Sequence, residues 1–99
     1  MRKIALFCAG GFSTSILVNK MKAAAQEEGY ACEIDAYSVS EVASRAKDAD
    51  IVLLGPQIRF NQESIKKQVS CPVAVIDMRA YGTVNGKAVL DQVKKVLND

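Results

Sequence analysis

The chain has 99 residues, 49% hydrophobic and 24% charged, which suits one folded domain spanning residues 1–99 and leaves no room for a second. A formal net charge of +2, with basic residues dispersed along the chain, points away from nucleic acid and membrane surfaces as partners. Histidine is absent, which removes His-ligated metal sites, Ser-His triads and a histidine phosphocarrier, so chemistry must come from cysteine, carboxylates, hydroxyls or backbone amides.

Lys3 to Phe7 is a nearly continuous apolar run, as expected of a strand buried on both faces. It is too short for the core of a signal peptide, and no segment reaches the ~20 apolar residues of a membrane span. A cytoplasmic protein without direct membrane insertion is therefore expected. From Ser13 to Glu28 a helical pattern places Ile16, Leu17, the Lys20 stem, Met21 and Ala24 on one face, with Gly29 closing the end. Cys32 to Tyr37 alternates, with Cys32, Ile34 and Ala36 facing inward, which reads as an edge strand with one wetter face. Ser38-Val39-Ser40-Glu41 has capping-box spacing ahead of Val42, Ala43 and Ala46.

Asp50 to Leu54 is a second buried strand, and Gly55 to Phe60 reads as the loop that leaves it. Asn61 then caps a short helix, with Phe60 and Ile65 spaced as a hydrophobic staple. Val73 to Ile76 forms the fourth strand, entered through Pro72 and ended by Asp77. Tyr81-Gly82 opens the last connection, and Val89, Leu90, Val93, Val96 and Leu97 form the stripe of a closing helix. No long exposed apolar stripe stands out, so a monomer is expected.

Strand-helix alternation implies an α/β fold: a small doubly wound, four-stranded parallel sheet with right-handed crossovers and helices on both faces. The most apolar strands, first and third, belong in the centre. The order is then 2-1-3-4, a shortened flavodoxin-like sheet. Ligands of such sheets bind beyond the carboxyl ends of the strands where the order reverses, here between strands one and three. Cys8 and the loop after Leu54 face each other at that point.

Cys8-Ala9-Gly10-Gly11-Phe12-Ser13-Thr14-Ser15 is a cysteine at a strand end, paired glycines and a helix start. Glycines let the backbone turn its N–H groups inward, and the helix start adds unpaired donors and partial positive charge. The result is an anion cradle beside a thiol, in a field that favours the nucleophilic thiolate. Ser13, Thr14 and Ser15 add hydroxyl donors. Cys32 and Cys71 lack such surroundings and read as packing residues, and an odd count of three cysteines argues against a disulfide framework. Gln57, Arg59 and Tyr81 are possible rim residues of the crevice. Phe12, Ile58, Phe60 and Tyr81 are candidates for an apolar collar that meets partner proteins. No metal site or cofactor is expected.

With Leu53-Leu54-Gly55-Pro56-Gln57-Ile58, Val75-Ile76-Asp77, Tyr81-Gly82 and Gly86, this cysteine loop resembles the enzyme IIB component of the lactose/cellobiose/diacetylchitobiose branch of the sugar phosphotransferase system. The resemblance runs over essentially the whole chain. One departure lies at Gly11-Phe12, where members of the family often carry a Met after the glycine. The resemblance implies that Cys8 accepts a phosphoryl group from a phosphohistidine on a IIA protein. It implies an S-phosphocysteine held by the backbone of the loop, mapping onto Gly10 to Ser15. It further implies delivery to a sugar, typically a β-linked disaccharide, bound by the membrane IIC permease. A cysteine-dependent phosphatase or arsenate reductase is the nearest rival. Such phosphatases need an arginine six positions after the cysteine, where this chain has Thr14, and an Asp-Pro acid that it lacks. A phosphorylation-sensing regulatory domain is the non-enzymatic alternative.

Overall fold

A computed structural model describes residues 1–8 and 12–99, with the side chains of all of these except Phe12 and Ser13. Four strands, β1 (Arg2–Cys8), β2 (Cys32–Ser38), β3 (Ile51–Leu54) and β4 (Val73–Val75), pair in parallel in the order β2-β1-β3-β4. Among the described residues five α-helices accompany them: α1 (Phe12–Glu28), α2 (Val42–Arg45), α3 (Gln62–Lys66), α4 (Met78–Gly82) and α5 (Gly86–Leu97). The parallel sense is that expected from strand-helix alternation, and the order is that expected from strand apolarity.

Strand β1 is central because both of its faces are apolar. Ile4 pairs with Ile34 on one side and Ile51 on the other, and Leu6 with Ala36 and Leu53. Ile4 and Leu6 face a layer built from Leu17, Val18 and Met21 of α1 and Val89, Leu90 and Val93 of α5. Ala5 and Phe7 face the opposite layer, with Val42, Ala46, Ile58 and Ile65. Leu6 and Phe7 are both 0% exposed, one on each face, and side chains of this kind stabilise by about 1.5–3 kcal/mol each when fully buried.

Helix α1 turns one residue away from the expected face. Leu17, Val18, Met21 and Ala25 are buried, whereas Ile16 is 50% exposed and Lys20 is exposed. Its end is as expected: Gly29 has φ +70°, its N–H bonds to Gln26, and the N–H of Tyr30 reaches back to Ala25. In β2, Ile34 alone is fully buried, Cys32 is half-buried against the core, and Ala36 is exposed. The capping box forms: Ser38 accepts from the Ser40 N–H and Glu41 accepts from the Ser38 N–H. It opens a 3₁₀ turn over Val39–Glu41 rather than an α-helix, and Ala43 in the following α2 is exposed.

Two further departures lie after β3 and β4. Gly55 to Phe60 is not an open loop; Pro56–Asn61 winds as 3₁₀ structure broken at Ile58. Ile58 is thereby driven into the core, Phe60 is left 79% exposed, and Asn61 makes no side-chain cap, so the Phe60–Ile65 staple does not form. Asp77 is not only a strand terminus, since its carboxylate accepts from the N–H of Ala80 and starts α4. In α5, Asn85 caps through Ala88, and Val96 is the one residue of the expected stripe that is left exposed, at 39%.

Candidate functional site

Cys8 is the last residue of β1, at the carboxyl end of the sheet and next to the point where strand order reverses. It is 4% exposed. Three elements close around it. The first is α1, which begins at Phe12 and brings Thr14 into contact within its first turn: the Thr14 hydroxyl lies 2.7 Å from the Cys8 sulfur. The second is the turn after β3, where the Gly55 N–H bonds to the carbonyl of Phe7 and carries that backbone up to the thiol. A Cβ on Gly55 would stand 3.1 Å from the Cβ of Cys8. The third is α4, whose Tyr81 hydroxyl lies 3.2 Å from that of Thr14. Strand order thus assembles Cys8, Thr14, Gly55 and Tyr81 from distant parts of the chain.

On the β2 side, a cavity of about 260 Å³ opens beside Cys8, lined by Thr14, Ser15, Ala36, Tyr37, Ser38 and Glu41. Ser38 is there because the parallel register pairs it with Cys8. The long N-terminal helix α1 has no acidic residue in its own first turn, and Glu41 on the cavity wall accepts from the Ser38 N–H. A thiol, hydroxyl donors and a helix start make a site suited to an anion next to sulfur. Among the described residues no group of three or more Cys, Asp and Glu side chains could hold a metal ion.

The expected site residues fare differently. Thr14 and Tyr81 meet at Cys8, while Ser15 is exposed at the cavity wall. Gln57 is exposed but turns back over Gly55, its Oε1 3.0 Å from where a Cβ on that residue would be. Among the described residues, Arg59 donates to the carbonyl of Pro56 and stacks over the Phe60 ring at 4.6 Å, rather than meeting Thr14 or Tyr81 at Cys8. Ala9, Gly10 and Gly11, and the side chains of Phe12 and Ser13, lie outside the described residues. The apolar collar is smaller than expected, because Ile58 belongs to the core layer on one face of the sheet and Tyr81 packs half-buried against the layer on the other. Phe60 remains exposed, with Met78 and Ile16 exposed on the helices that start at the same end of the sheet.

A family model for the PTS system, Lactose/Cellobiose specific IIB subunit, matches residues 3–92. The chain belongs to this IIB family of the phosphotransferase system. It is 41% identical over 100 residues to the oligo-beta-mannoside-specific EIIB component of Bacillus subtilis (strain 168), with 98% of this chain and 97% of the relative covered. The solution structure of the cellobiose-specific phosphotransferase IIB component from Borrelia burgdorferi superposes with a TM-score of 0.80 at 31% identity, covering 98% and 92% of the two chains. The lactose-specific IIB component domain from Streptococcus pneumoniae shares the fold, with a TM-score of 0.84 and 16% identity over 96% of each chain. As a IIB component, the chain is a sugar-specific member of a phosphotransferase system with a role in phosphoryl transfer. None of its described helices is long and apolar enough to cross a membrane.

Three features of the site escaped sequence reasoning. The Thr14–Tyr81 contact joins residues 67 positions apart, and no local pattern signals it. The close approach of Gly55 to Cys8 has no signal in a Gly-Pro pair, which marks only the loop that leaves β3. The cavity wall on β2 was legible in principle, since in a parallel sheet the carboxyl end of an edge strand must lie beside that of its neighbour.

Proposed function

We propose that Cys8 takes a phosphoryl group from a phosphohistidine on a IIA protein, holds it as S-phosphocysteine, and passes it to a sugar bound by a membrane IIC permease. The observation that supports this most is the setting of Cys8: a shielded sulfur at the strand-order reversal, beside the start of α1 and in contact with the Thr14 hydroxyl. In the first step the N–P bond breaks as the S–P bond forms, and the thiol proton ends on the released imidazole. In the second the S–P bond breaks, a sugar oxygen takes the phosphoryl group, and the proton of the sugar hydroxyl restores the thiol. Both steps need in-line approach and dispersal of negative charge rather than covalent help from the protein. The backbone from Ala9 through Gly10, Gly11, Phe12 and Ser13 to Thr14 and Ser15 is the proposed cradle.

A β-linked disaccharide is the proposed sugar class, in keeping with the oligo-β-mannoside and cellobiose specificities carried in the names of two relatives. Residues 1–99 act as one cytoplasmic, monomeric IIB domain in this reading. Exposed Phe60, Met78 and Ile16, on elements that leave the carboxyl end of the sheet, are the proposed apolar contacts for the partners. Gln57 and Arg59 are the proposed polar residues of the rim, Gln57 reaching over Gly55 and Arg59 donating to the Pro56 carbonyl.

The test is intact mass spectrometry after incubation with phosphoenolpyruvate, the general phosphotransferase proteins and an active cognate IIA. One phosphoryl adduct is expected on the wild-type chain and none on Cys8→Ser. No adduct on wild type would sink the carrier reading in favour of the regulatory or hydrolase alternatives.

A further inference from the structure

Thr14 is the one polar residue that is fully buried among the described residues, at 3% exposed. Its hydroxyl lies between two partners, the Cys8 sulfur at 2.7 Å and the Tyr81 hydroxyl at 3.2 Å. A hydroxyl has one proton to give, so it donates to only one of them at a time. With Cys8 as a neutral thiol, the sulfur can donate to Thr14 and Thr14 to Tyr81. With sulfur carrying negative charge, as it does when an S–P bond breaks, Thr14 must donate to sulfur. The phenol then donates to Thr14. The direction of the chain of hydrogen bonds follows the charge on Cys8, and each bond strengthens the next.

Tyr81 is held for this role from outside the crevice. Its backbone N–H bonds to the carbonyl of Asp77, whose carboxylate caps the start of α4. Its ring is half-buried against the core, and its Cε2 lies 3.8 Å from where a Cβ on Gly55 would be. The phenol therefore has little freedom to turn away from Thr14.

We infer that Tyr81 is a positioning residue for phosphoryl transfer at Cys8, acting through Thr14: it aligns the Thr14 hydroxyl to donate to the sulfur when negative charge develops there. This inference rests on the carrier reading above. Charge develops on sulfur in both directions of transfer, before the S–P bond has formed and after it has broken. A donor fixed on sulfur stabilises Cys8 both as nucleophile and as leaving group. Neither hydroxyl gains or loses a proton over the cycle.

The experiment is a double-mutant cycle in the full chain on Thr14→Val and Tyr81→Phe, with Thr14→Ser as the rescue variant. One readout is the rate at which iodoacetamide labels Cys8 at neutral pH, which needs no partner protein. The other is single-turnover transfer from phosphorylated IIA. Hydrogen bonds to charged groups are worth enough that Thr14→Val should slow both by about tenfold, Tyr81→Phe by about threefold, and Thr14→Ser by less than about twofold. The double variant should be no slower than Thr14→Val alone. Labelling of Cys32 and Cys71 should not change, and the IIA concentration for half-maximal rate should stay at the wild-type value. Should Thr14→Val fail to fold, Thr14→Ser combined with Tyr81→Phe keeps the test: it should restore no more than Tyr81→Phe alone allows.

Effects that multiply in the double variant, or a Tyr81→Phe protein as fast as wild type, would overturn the inference while leaving the carrier reading intact. A coupled alkylation cycle in a wild-type chain that accepts no phosphoryl group would overturn the carrier reading, and the transfer role of Tyr81 with it.

Discussion

Gly55 approaches Cys8 so closely that a methyl group on it would lie 3.1 Å from the Cβ of the cysteine and 3.0 Å from Oε1 of Gln57. Its backbone, at φ −60° and ψ 148°, is one that any residue adopts, so space rather than conformation calls for glycine here. Gln57 is exposed and can swing aside, whereas Cys8 is held in the central strand. Gly55→Ala should therefore act by displacing the Cys8 thiol. Misplacement by a fraction of an ångström is expected to slow phosphoryl acceptance by about tenfold. The loss of stability in urea should stay near 1 kcal/mol, at the low end of overpacking costs. Rapid-quench mass spectrometry with urea unfolding checks both; a large stability loss with full activity would contradict the assignment.

Gly86 is the opposite case, in which the neighbour cannot give. A Cβ there would meet the backbone of α1, at 2.5 Å from the carbonyl carbon of Lys20 and 2.6 Å from the nitrogen of Met21. Alanine is a better helix former than glycine by about 1 kcal/mol, which alone would favour the substitution. Separating α5 from α1 breaks a layer of the core, and such overpacking costs about 1–3 kcal/mol. The expected net effect of Gly86→Ala is destabilisation by up to about 2 kcal/mol, read as a lower urea midpoint at an unchanged slope.

The Arg2 guanidinium donates two hydrogen bonds to Asp99, each 2.9 Å, and the Tyr30 hydroxyl donates to the same carboxylate. Hydrogen bonding from Arg2, then from Tyr30, holds the Asp99 carboxyl below its ordinary range. The folded chain thus binds that proton less readily than the unfolded one. The contribution to stability is fully present above the ordinary carboxylate range and is lost as pH falls through the lowered value. Tyr30 mirrors this at the alkaline end. Burial first, and the bond to Asp99 second, push its phenol up to about 12, so its contribution is present below the ordinary tyrosine range and lost as pH rises through that value. Asp99→Asn should flatten part of the acid-side loss in urea melts as pH falls through and below the ordinary carboxylate range, with little change in slope near neutrality.

Phe60 is 79% exposed, and its ring contact is with the guanidinium of Arg59. Since it supports no core, Phe60→Ser should leave stability within about 0.5 kcal/mol of wild type. If the apolar rim meets IIA, the same change should raise the IIA concentration needed for half-maximal transfer several-fold while sparing the maximal rate. Titration of phosphorylated IIA against each protein separates the two quantities.

Burial pushes the thiols of Cys32 and Cys71 up. Both are half-buried and distant from the start of α1. Iodoacetamide near neutral pH should therefore label Cys8 first, by about tenfold over the other two, because the Thr14 hydroxyl and the start of α1 lie beside its sulfur. Peptide mapping of a partly labelled sample decides the order, and equal labelling of all three would count against an anion-favouring setting for Cys8.

The sheet was legible because burial on both faces leaves a mark in composition: β1 and β3 are apolar without alternation, and β2 alternates. That contrast yields the strand order, and the order places Cys8. Elements shorter than two turns left no such mark. Helix α4 and the 3₁₀ run of Pro56–Asn61 have too few residues to display a period, so by pattern Tyr81 falls in a connection and Ile58 in an exposed collar. In α1, Leu17 and Val18 are adjacent apolar residues following Ile16, and a run of three leaves the buried face uncertain by one position, or 100° of rotation. Tertiary packing with α5 settled it.

The bonds between Arg2 and Asp99 also set a geometry for handling the molecule. They hold the two ends of the fold together where β1 begins, while Cys8 stands where β1 ends, about 20 Å away along the strand. A tether joined to either end hangs clear of the crevice. A short linker from residue 99 back to residue 1 would close the backbone into a ring, and the ring could be opened at an exposed turn elsewhere without disturbing the thiol's surroundings.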